Sequence, residues 1–398
     1  MSSITVGTLT STTVNVSGNI QMTNGMVLPS FTTAGRPGSP TAGQMIYNST
    51  EQDVEVWTGS AWKPFLGQGL RNWTNSTRPS SPVNGDVGWN TEEEVAEIYI
   101  ANDAEWVPVG SGGKADPGEV LFVSVGQHSW QVPDGVEAVS VVAIGGGGGG
   151  AGDHDGGGGT GGGLGWRNNI TVTPGSSITV RVGAAGPGGD NENSNGQNGG
   201  ESWFQSTGQV RGGGGRGGRG NYDGSNLPGG DYSGQGGGRG GDNNYGGTWR
   251  NGGTGAGGYT GRGGEAAIPY NNPGQPGSGG GGGAGAGGNN YFMGGGGGTG
   301  IYGQGPNGSG GPFGANPARP GQGGSGGQPG YNQPAPRGNT RGNGGIYGGA
   351  GGGTYYGNNQ GGRGANGAVR VIWGDDSVNR QFPSTNTSSG SSITVQQV

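Results

Sequence analysis

The feature that most limits this chain is a block of glycine. Residues 145–368 hold 92 glycines, about 41% of that block, against 17 in residues 1–144 and 2 in residues 369–398. A segment with so few side chains cannot bury an ordinary apolar core, and apolar burial is the main favourable term in folding. Ordering a backbone residue costs roughly 1–2 kcal/mol, with glycine at the expensive end. Two outcomes remain for such a block. It is a solvent-swollen coil, or a dense and repeated backbone interaction holds it.

Glycine permits the second outcome. It can adopt the extended three-residue helix of polyproline, which rises about 3.1 Å per residue. Proline versions lack the N–H, whereas glycine versions donate it sideways to a neighbouring helix, and Cα–H···O contacts add smaller terms. Three residues per turn give each residue class its own edge. A helix inside a bundle then needs glycine on nearly every edge, and a peripheral helix can carry side chains on one. The sequence has this register. Arg216, Arg219 and Tyr222 fall three apart, as do Gln322, Ser325 and Gln328; Arg239 and Asp242, and Arg262 and Glu265, are i,i+3 pairs. The runs 279–283 and 294–298 suit an interior. Collagen is excluded, because no frame keeps glycine at every third position for long.

A framework of strands brackets the block. Residues 119–125, 129–132 and 138–144 read as strands, and the nearly continuous Ala-Val-Ser-Val-Val-Ala-Ile of 138–144 calls for cover on both faces. Residues 168–172 and 177–182 flank a Pro174-Gly175 turn, with Ile178, Val180 and Val182 on one face. Residues 202–205 read as another strand. Ala-Val-Arg-Val-Ile-Trp (368–373) returns as a strand, and a disordered block needs no structured return. Clusters with bulk and polarity interrupt the glycine at 245–250, 268–272, 289–293 and 355–359, and these read as loops at the bundle ends.

Upstream, Arg36-Pro37-Gly38-Ser39-Pro40 recurs as Arg78-Pro79-Ser80-Ser81-Pro82, and Gly43, Asn48 and Glu55 find Gly85, Asn90 and Glu97 at the same offset. Trp62 and Pro64 match Trp106 and Pro108 two residues further on, an insertion suited to a turn. Two β-hairpin modules are expected, at 31–66 and 67–110, with tryptophans that pack against neighbouring copies. Residues 1–30 show short-strand patterning, 111–118 read as a linker, and 375–398 are a Ser/Thr-rich tail that is partly ordered or adds a strand elsewhere. Ser-Ser-Ile-Thr-Val occurs there at 391–395, and also at 2–6 and 176–180.

Charge and residue usage exclude several functions. The net charge is −6. The glycine block carries 12 Arg against 9 acids, too weak a field for a dedicated nucleic-acid binder. Its Arg-Gly-Gly elements at Arg211, Arg216, Arg239 and Arg262 leave an RGG-type disordered RNA-binding protein as the third reading. The chain has no cysteine and two histidines, so no thiol chemistry, no cofactor and no enzyme is expected. Asp153, His154 and Asp155 are the weak metal candidates, and an ordinary polar loop is the better reading. No run of 18 apolar residues and no basic-then-apolar leader is present, so neither a transmembrane helix nor a signal peptide is expected.

Ser-Trp-Gln-Val-Pro-Asp-Gly-Val (129–136), the strand 139–144 and the glycine run after it resemble the start of the glycine-rich domain of bacteriophage tail fibres. The Asn-rich strand at 168–173, the Pro-Gly turn, Val180-Arg181-Val182-Gly183 and the return at 367–373 are similar to that family too. The resemblance covers residues 10–374 and implies a virion fibre or adhesin, extracellular, with packed polyglycine helices. The expected fold is mainly β with almost no α-helix. A fibre-like β segment and two hairpin modules precede a glycine-rich domain at 119–374, whose β framework (119–144, 167–182, 202–211, 368–373) carries a polyglycine II bundle (145–367). The partners implied are further copies in a homotrimer, other phage tail or baseplate proteins through residues 1–110, and a host glycan or outer-membrane protein. The candidate receptor-binding residues are Tyr245, Trp249, Arg250, Tyr270, Asn271, Asn272, Tyr291, Phe292, Tyr355 and Tyr356. Aromatic rings stack on sugar faces, and Asn and Arg supply donors. A purely structural fibre is the alternative.

Overall fold

The computed structural model describes residues 28–64, 71–101, 104–109, 117–152, 156–190, 194–220, 226–244, 251–266, 272–287, 293–313, 319–334, 340–354, 360–374, 380–383 and 394–397. The chain divides into two compact units, Met1–Gly110 and Ser111–Val398.

In the first unit each repeat is a four-stranded sheet rather than a lone hairpin. The first holds β1 (Ser30–Phe31), β2 (Met45–Asn48), β3 (Asp53–Trp57) and β4 (Trp62–Pro64), in that order. The second holds β5 (Arg71–Trp73), β6 (Val87–Asn90), β7 (Val95–Ile100) and β8 (Glu105–Pro108). The extra strand precedes the Arg-Pro segment and pairs in parallel, Phe31 opposite Asn48 and Trp73 opposite Asn90. Trp57 pairs with Trp62 across one hairpin and Tyr99 with Trp106 across the other, so the two-residue insertion falls in that hairpin's loop. The tryptophans find partners inside their own repeat: Trp57 and Trp62 lie 5.6 Å apart, and Trp73 and Trp106 lie 4.5 Å apart.

Each repeat also closes over an ion pair. The guanidinium of Arg36 meets Glu55, and that of Arg78 meets Glu97, with both carboxylates buried. Glu97 accepts bonds from Arg78 Nε (3.0 Å), Asn90 Nδ2 (2.9 Å) and Trp73 Nε1 (2.9 Å). In the first repeat the counterpart of Trp73 is Phe31, which has no N–H to offer. Gly88 lies beneath the Trp73 ring, where a Cβ would meet the indole at 1.9 Å. Its counterpart is the fully buried Ile46. The second repeat thus sets a large ring over glycine where the first has a smaller ring and an isoleucine at the matching positions.

The second unit begins with β9 (Gly118–Phe122), β10 (Gly126–Gln131) and β11 (Ala138–Ile144), then β12 (Leu164–Thr171) and β13 (Ser177–Val182). Next come β14 (Ser202–Phe204), β15 (Val210–Gly212), β16 (Tyr232–Ser233) and β17 (Gly236–Gly238). β18 (Tyr331–Pro334) and β19 (Thr340–Asn343) form a separate two-stranded ribbon, and β20 (Ala368–Trp373) and β21 (Thr394–Gln397) complete the set. One sheet runs β10-β13-β14-β15-β16, the other β17-β12-β11-β20-β9-β21. Trp130, Ile178, Val180, Phe204 and Val210 of the first pack on Val120, Phe122, Val139, Val141, Val369 and Val371 of the second. The other face of the six-stranded sheet buries Val142, Ile144, Leu164 and Trp166 against Tyr259, Ile301 and Phe382. β11 is therefore covered on both faces, as its unbroken apolar run requires.

From this framework the chain runs on as polyglycine II helices, and residues 145–152 show the packing rule. The N–H groups of Gly145, Gly148 and Ala151 donate to residues 163, 160 and 157. Those of Gly146, Gly149 and Gly152 donate to 200, 197 and 194, and those of Gly147 and Gly150 to 365 and 362, all at 2.8–3.0 Å. Its carbonyls accept from Gly186 and Gly189, from Gly215 and Gly218, and from Gly351. Every third residue faces the same neighbour, and six helices surround this one. Residues 281–286 form a second such centre, bonded to six helices at 251–258, 261–266, 272–278, 293–300, 304–313 and 319–323. At three successive positions, 148, 149 and 150, a Cβ would meet a different neighbour's carbonyl oxygen at 2.0, 1.9 and 2.0 Å. Only a hydrogen fits there, and it points at an oxygen as a weak Cα–H···O donor does.

Helices at the surface carry side chains on one edge. Ala184, Pro187 and Asp190 are exposed at intervals of three, as are Arg216 and Arg219. The pairs Arg239–Asp242 (3.7 Å) and Arg262–Glu265 (2.9 Å) ride along their own helices. The Gln322, Ser325, Gln328 edge is not continuous. A turn at 324–327 reverses the chain there, and Ser325 is buried with positive φ, its Oγ donating to the Gly280 carbonyl at 2.9 Å. A spacing of three marks an edge only while the helix lasts.

Candidate binding face

The two ends of the bundle differ. At the framework end the connections are short turns or strands, such as Tyr259–Gly261, 278–280, 301–303, 324–327 and 346–348. At the other end lie the described stems of nine sequence segments: 153–155, 191–193, 221–225, 245–250, 267–271, 288–292, 314–318, 335–339 and 355–359. Backbone bonds join those stems side by side. Gly152 donates to Ser194 (3.0 Å), Gly156 to Thr354 (2.9 Å), Gly158 to Asn251 (3.0 Å) and Ala266 to Asp242 (3.2 Å). Gln275 donates to Glu265 (3.2 Å), Ala286 to Arg319 (3.1 Å) and Gly294 to Ala286 (3.1 Å). The described stems thus end side by side at one end of the bundle.

Polar side chains lock the stems where the backbone ladder has a gap. Buried Asn243 donates through Nδ2 to the Gly158 carbonyl (2.7 Å) and accepts from Asn251 Nδ2 (3.0 Å), which fastens both sides of the 245–250 segment. Thr254 Oγ1 accepts from Gly161 N–H (2.8 Å), and Asn198 Oδ1 and Asn195 Oδ1 accept from Gly217 (2.9 Å) and Gly220 (3.0 Å). Asp242 takes the Gly229 N–H (2.8 Å) and also meets the Arg262 guanidinium. The sequence reading missed this class of residue. Its signal is an Asn, Asp or Thr within a glycine run or just beside one.

Of the ten candidate receptor residues, Asn272 is described; it is half-buried on the stem that follows 267–271 and has a partner. Tyr245, Trp249, Arg250, Tyr270, Asn271, Tyr291, Phe292, Tyr355 and Tyr356 lie outside the described residues, as do Asp153, His154 and Asp155. Met293, which the sequence places in the third cluster, is instead buried in the bundle. Among the described residues no group of three or more His, Cys, Asp or Glu could hold a metal ion. Three of the four Arg-Gly-Gly arginines are in ion pairs: Arg211 with Asp231 (2.8 Å) and Glu201, Arg239 with Asp242, and Arg262 with Asp242 and Glu265.

The framework end is anchored by charge. Fully buried Arg370 of β20 meets the buried Glu119 of β9 and lies over the Tyr302 ring, 4.5 Å from its centroid. Arg380 reaches the same carboxylate at 3.1 Å and donates to the carbonyls of Gly118 (2.9 Å) and Trp373 (2.8 Å). Burial pushes the Tyr259 hydroxyl well above its ordinary pKa, so it stays a neutral donor, bonded to the Gly300 carbonyl at 3.2 Å. These groups join sheet to bundle at the framework end.

A family model for the glycine-rich domain matches residues 123–374. That stretch starts just after β9, ends one residue beyond β20, and takes in the whole bundle. The chain belongs to this glycine-rich domain family. No curated protein sequence matches it.

Proposed function

We propose that this protein is a bacteriophage tail-fibre protein that acts as a host-surface adhesin, with its receptor-binding face at the end of the bundle away from the β framework. One observation carries the reading: the described stems that flank, in sequence, the polar and aromatic clusters at 245–250, 268–272, 289–293 and 355–359 all end at that end of the bundle, where backbone bonds tie the stems together. A scaffold bonded in three directions at every turn holds attached segments at fixed spacings, which lowers the entropy lost on binding. The segments supply Tyr, Trp, Phe, Asn and Arg, the residue types that bind with large contact area and adaptable hydrogen bonds. Several copies on one virion would bind multivalently.

The test uses the full chain. Purified protein is expected to bind host cells and to block virion attachment. The double variant Tyr245→Ala/Trp249→Ala is expected to weaken cell binding by about 30-fold or more, the scale of an aromatic hot spot, with unchanged thermal unfolding. A chain that neither binds cells nor blocks attachment would hand the case to the purely structural fibre.

A further inference from the structure

We infer that the outer edge of β9 is a strand-acceptor site, and that residues 2–6 of a second copy of this chain occupy it as a parallel donor strand. β9 reads Gly-Glu-Val-Leu-Phe, and all five residues are buried. Its inner edge pairs with β20. Its outer edge is covered by β21, which runs parallel to it with Thr394 opposite Gly118, Val395 opposite Glu119 and Gln397 opposite Leu121. Left bare, so apolar an edge would be a template for any passing strand. The cover is slight: four residues, Thr-Val-Gln-Gln, joined to the domain through residues 384–393. Pairing of this kind draws its affinity from main-chain bonds, so a segment of the same register can replace it.

The chain carries such a segment. Ser-Ser-Ile-Thr-Val occurs three times. The copy at 176–180 supplies most of β13, with Ile178 and Val180 in the core. The copy at 391–395 supplies the start of β21. The described residues of both copies, 177–180 and 394–395, therefore lie in strands, one antiparallel inside a sheet and one parallel at an edge. The third copy is 2–6. Aligned on 391–395, it sets Thr5 opposite Gly118 and Val6 opposite Glu119. Residues 2–6 and β9 belong to different compact units. A second copy can supply the strand whatever the placement of the two units within one chain. The contact would join one patch to a different patch, which gives rings or open chains of subunits rather than a two-fold dimer. It is independent of what the far end of the bundle binds.

The experiment places a photo-cross-linking amino acid at Thr5 of the full chain. Isotopically light and heavy protein are mixed, irradiated and mapped by mass spectrometry. Cross-links from position 5 to the peptide containing residues 118–122 are expected, with light joined to heavy. Val395→Pro removes a ladder donor from the competing strand and should raise their yield by about threefold or more, while Val6→Pro should lower it by about tenfold. Cross-links that avoid β9 in the Val395→Pro protein, or that never join light to heavy, would overturn the inference.

Discussion

In the β framework a buried position is filled by a side chain, whereas in the bundle it is filled by the backbone of a neighbour. Phe204 and Val141 are fully buried, and each can be described by what it packs against. Gly149 is just as buried, yet it contributes only a donor to Gln197, an acceptor for Gly218 and a hydrogen aimed at Pro187. A side-chain core is a jigsaw with rotamers that can shift. A backbone lattice has no such slack, because every atom that would move is itself bonded to a third helix. The two regions should therefore fail differently.

The hardest test of that contrast is Gly149→Ala. Its methyl would meet the Pro187 carbonyl oxygen at 1.9 Å with bonded helices on every side. The variant should lose more than about 5 kcal/mol, in the range reserved for exceptional substitutions. Amide-exchange protection over residues 145–163 should collapse with it. Gly208→Ala is the control: it lies in a framework turn, where the nearest atom to a new Cβ is 3.9 Å away. That change should stay within about 0.5 kcal/mol. Equal melting of the two variants would show that the bundle is not a tight lattice.

Phe204→Ala comes next. A fully buried phenyl ring lost from the sandwich should cost about 3–5 kcal/mol, set by how far Trp130 and Val180 close over the cavity. Chemical denaturation would measure it. The neighbours can relax here, so unfolding should remain a single cooperative transition. A loss larger than that of Gly149→Ala would reverse the ranking of the two regions.

What the sequence reveals follows the same divide. β11, β13 and β20 could be placed from alternation and apolar runs, because side chains carry that information. The three-residue edges of Arg216 and Arg219, and of Arg262 and Glu265, were legible for the same reason. The route of each helix through the bundle was not, since glycine at 149 and at 283 reads alike while their partners differ. Nor does period three reveal where a helix turns, as Ser325 shows. The repeats were visible as repeats. Their fourth strands, Ser30–Phe31 and Arg71–Trp73, escaped notice because two or three residues show no alternation.

The repeats offer a finer comparison, since Phe31 and Ile46 stand in one at the positions that Trp73 and Gly88 hold in the other. Trp73→Phe alone should cost about 2–3 kcal/mol, from a cavity and a lost hydrogen bond to a buried carboxylate. Gly88→Ile alone drives a side chain into the indole, where a Cβ already falls 1.9 Å from the ring. The double variant recreates the first repeat's pair and should recover to within about 1 kcal/mol of the parent, a coupling that a double-mutant cycle would expose. Additive losses would mean that the two pairs do not fill equivalent space.

The smallest effect separates the repeats by acid. Burial opposes ionisation of Glu97, but bonds from Arg78, Trp73 and Asn90 outweigh it and hold the carboxyl down at about 2. Glu55 is lowered as well, chiefly by its bond from Arg36. A carboxyl depressed in the folded state adds stability that is present above its unfolded value and fades as pH falls through the folded one. For Glu97 the window runs from about 4.3, the ordinary glutamate value, down to about 2. Trp73→Phe removes one of the three kinds of donor, so it should move the loss to higher pH and leave the Glu55 repeat unchanged. Side-chain NMR titration of the two carboxyls would follow both repeats in one sample. A Glu97 midpoint unmoved by Trp73→Phe would show that the indole bond adds nothing to the ion pair, and that the repeats differ in packing alone.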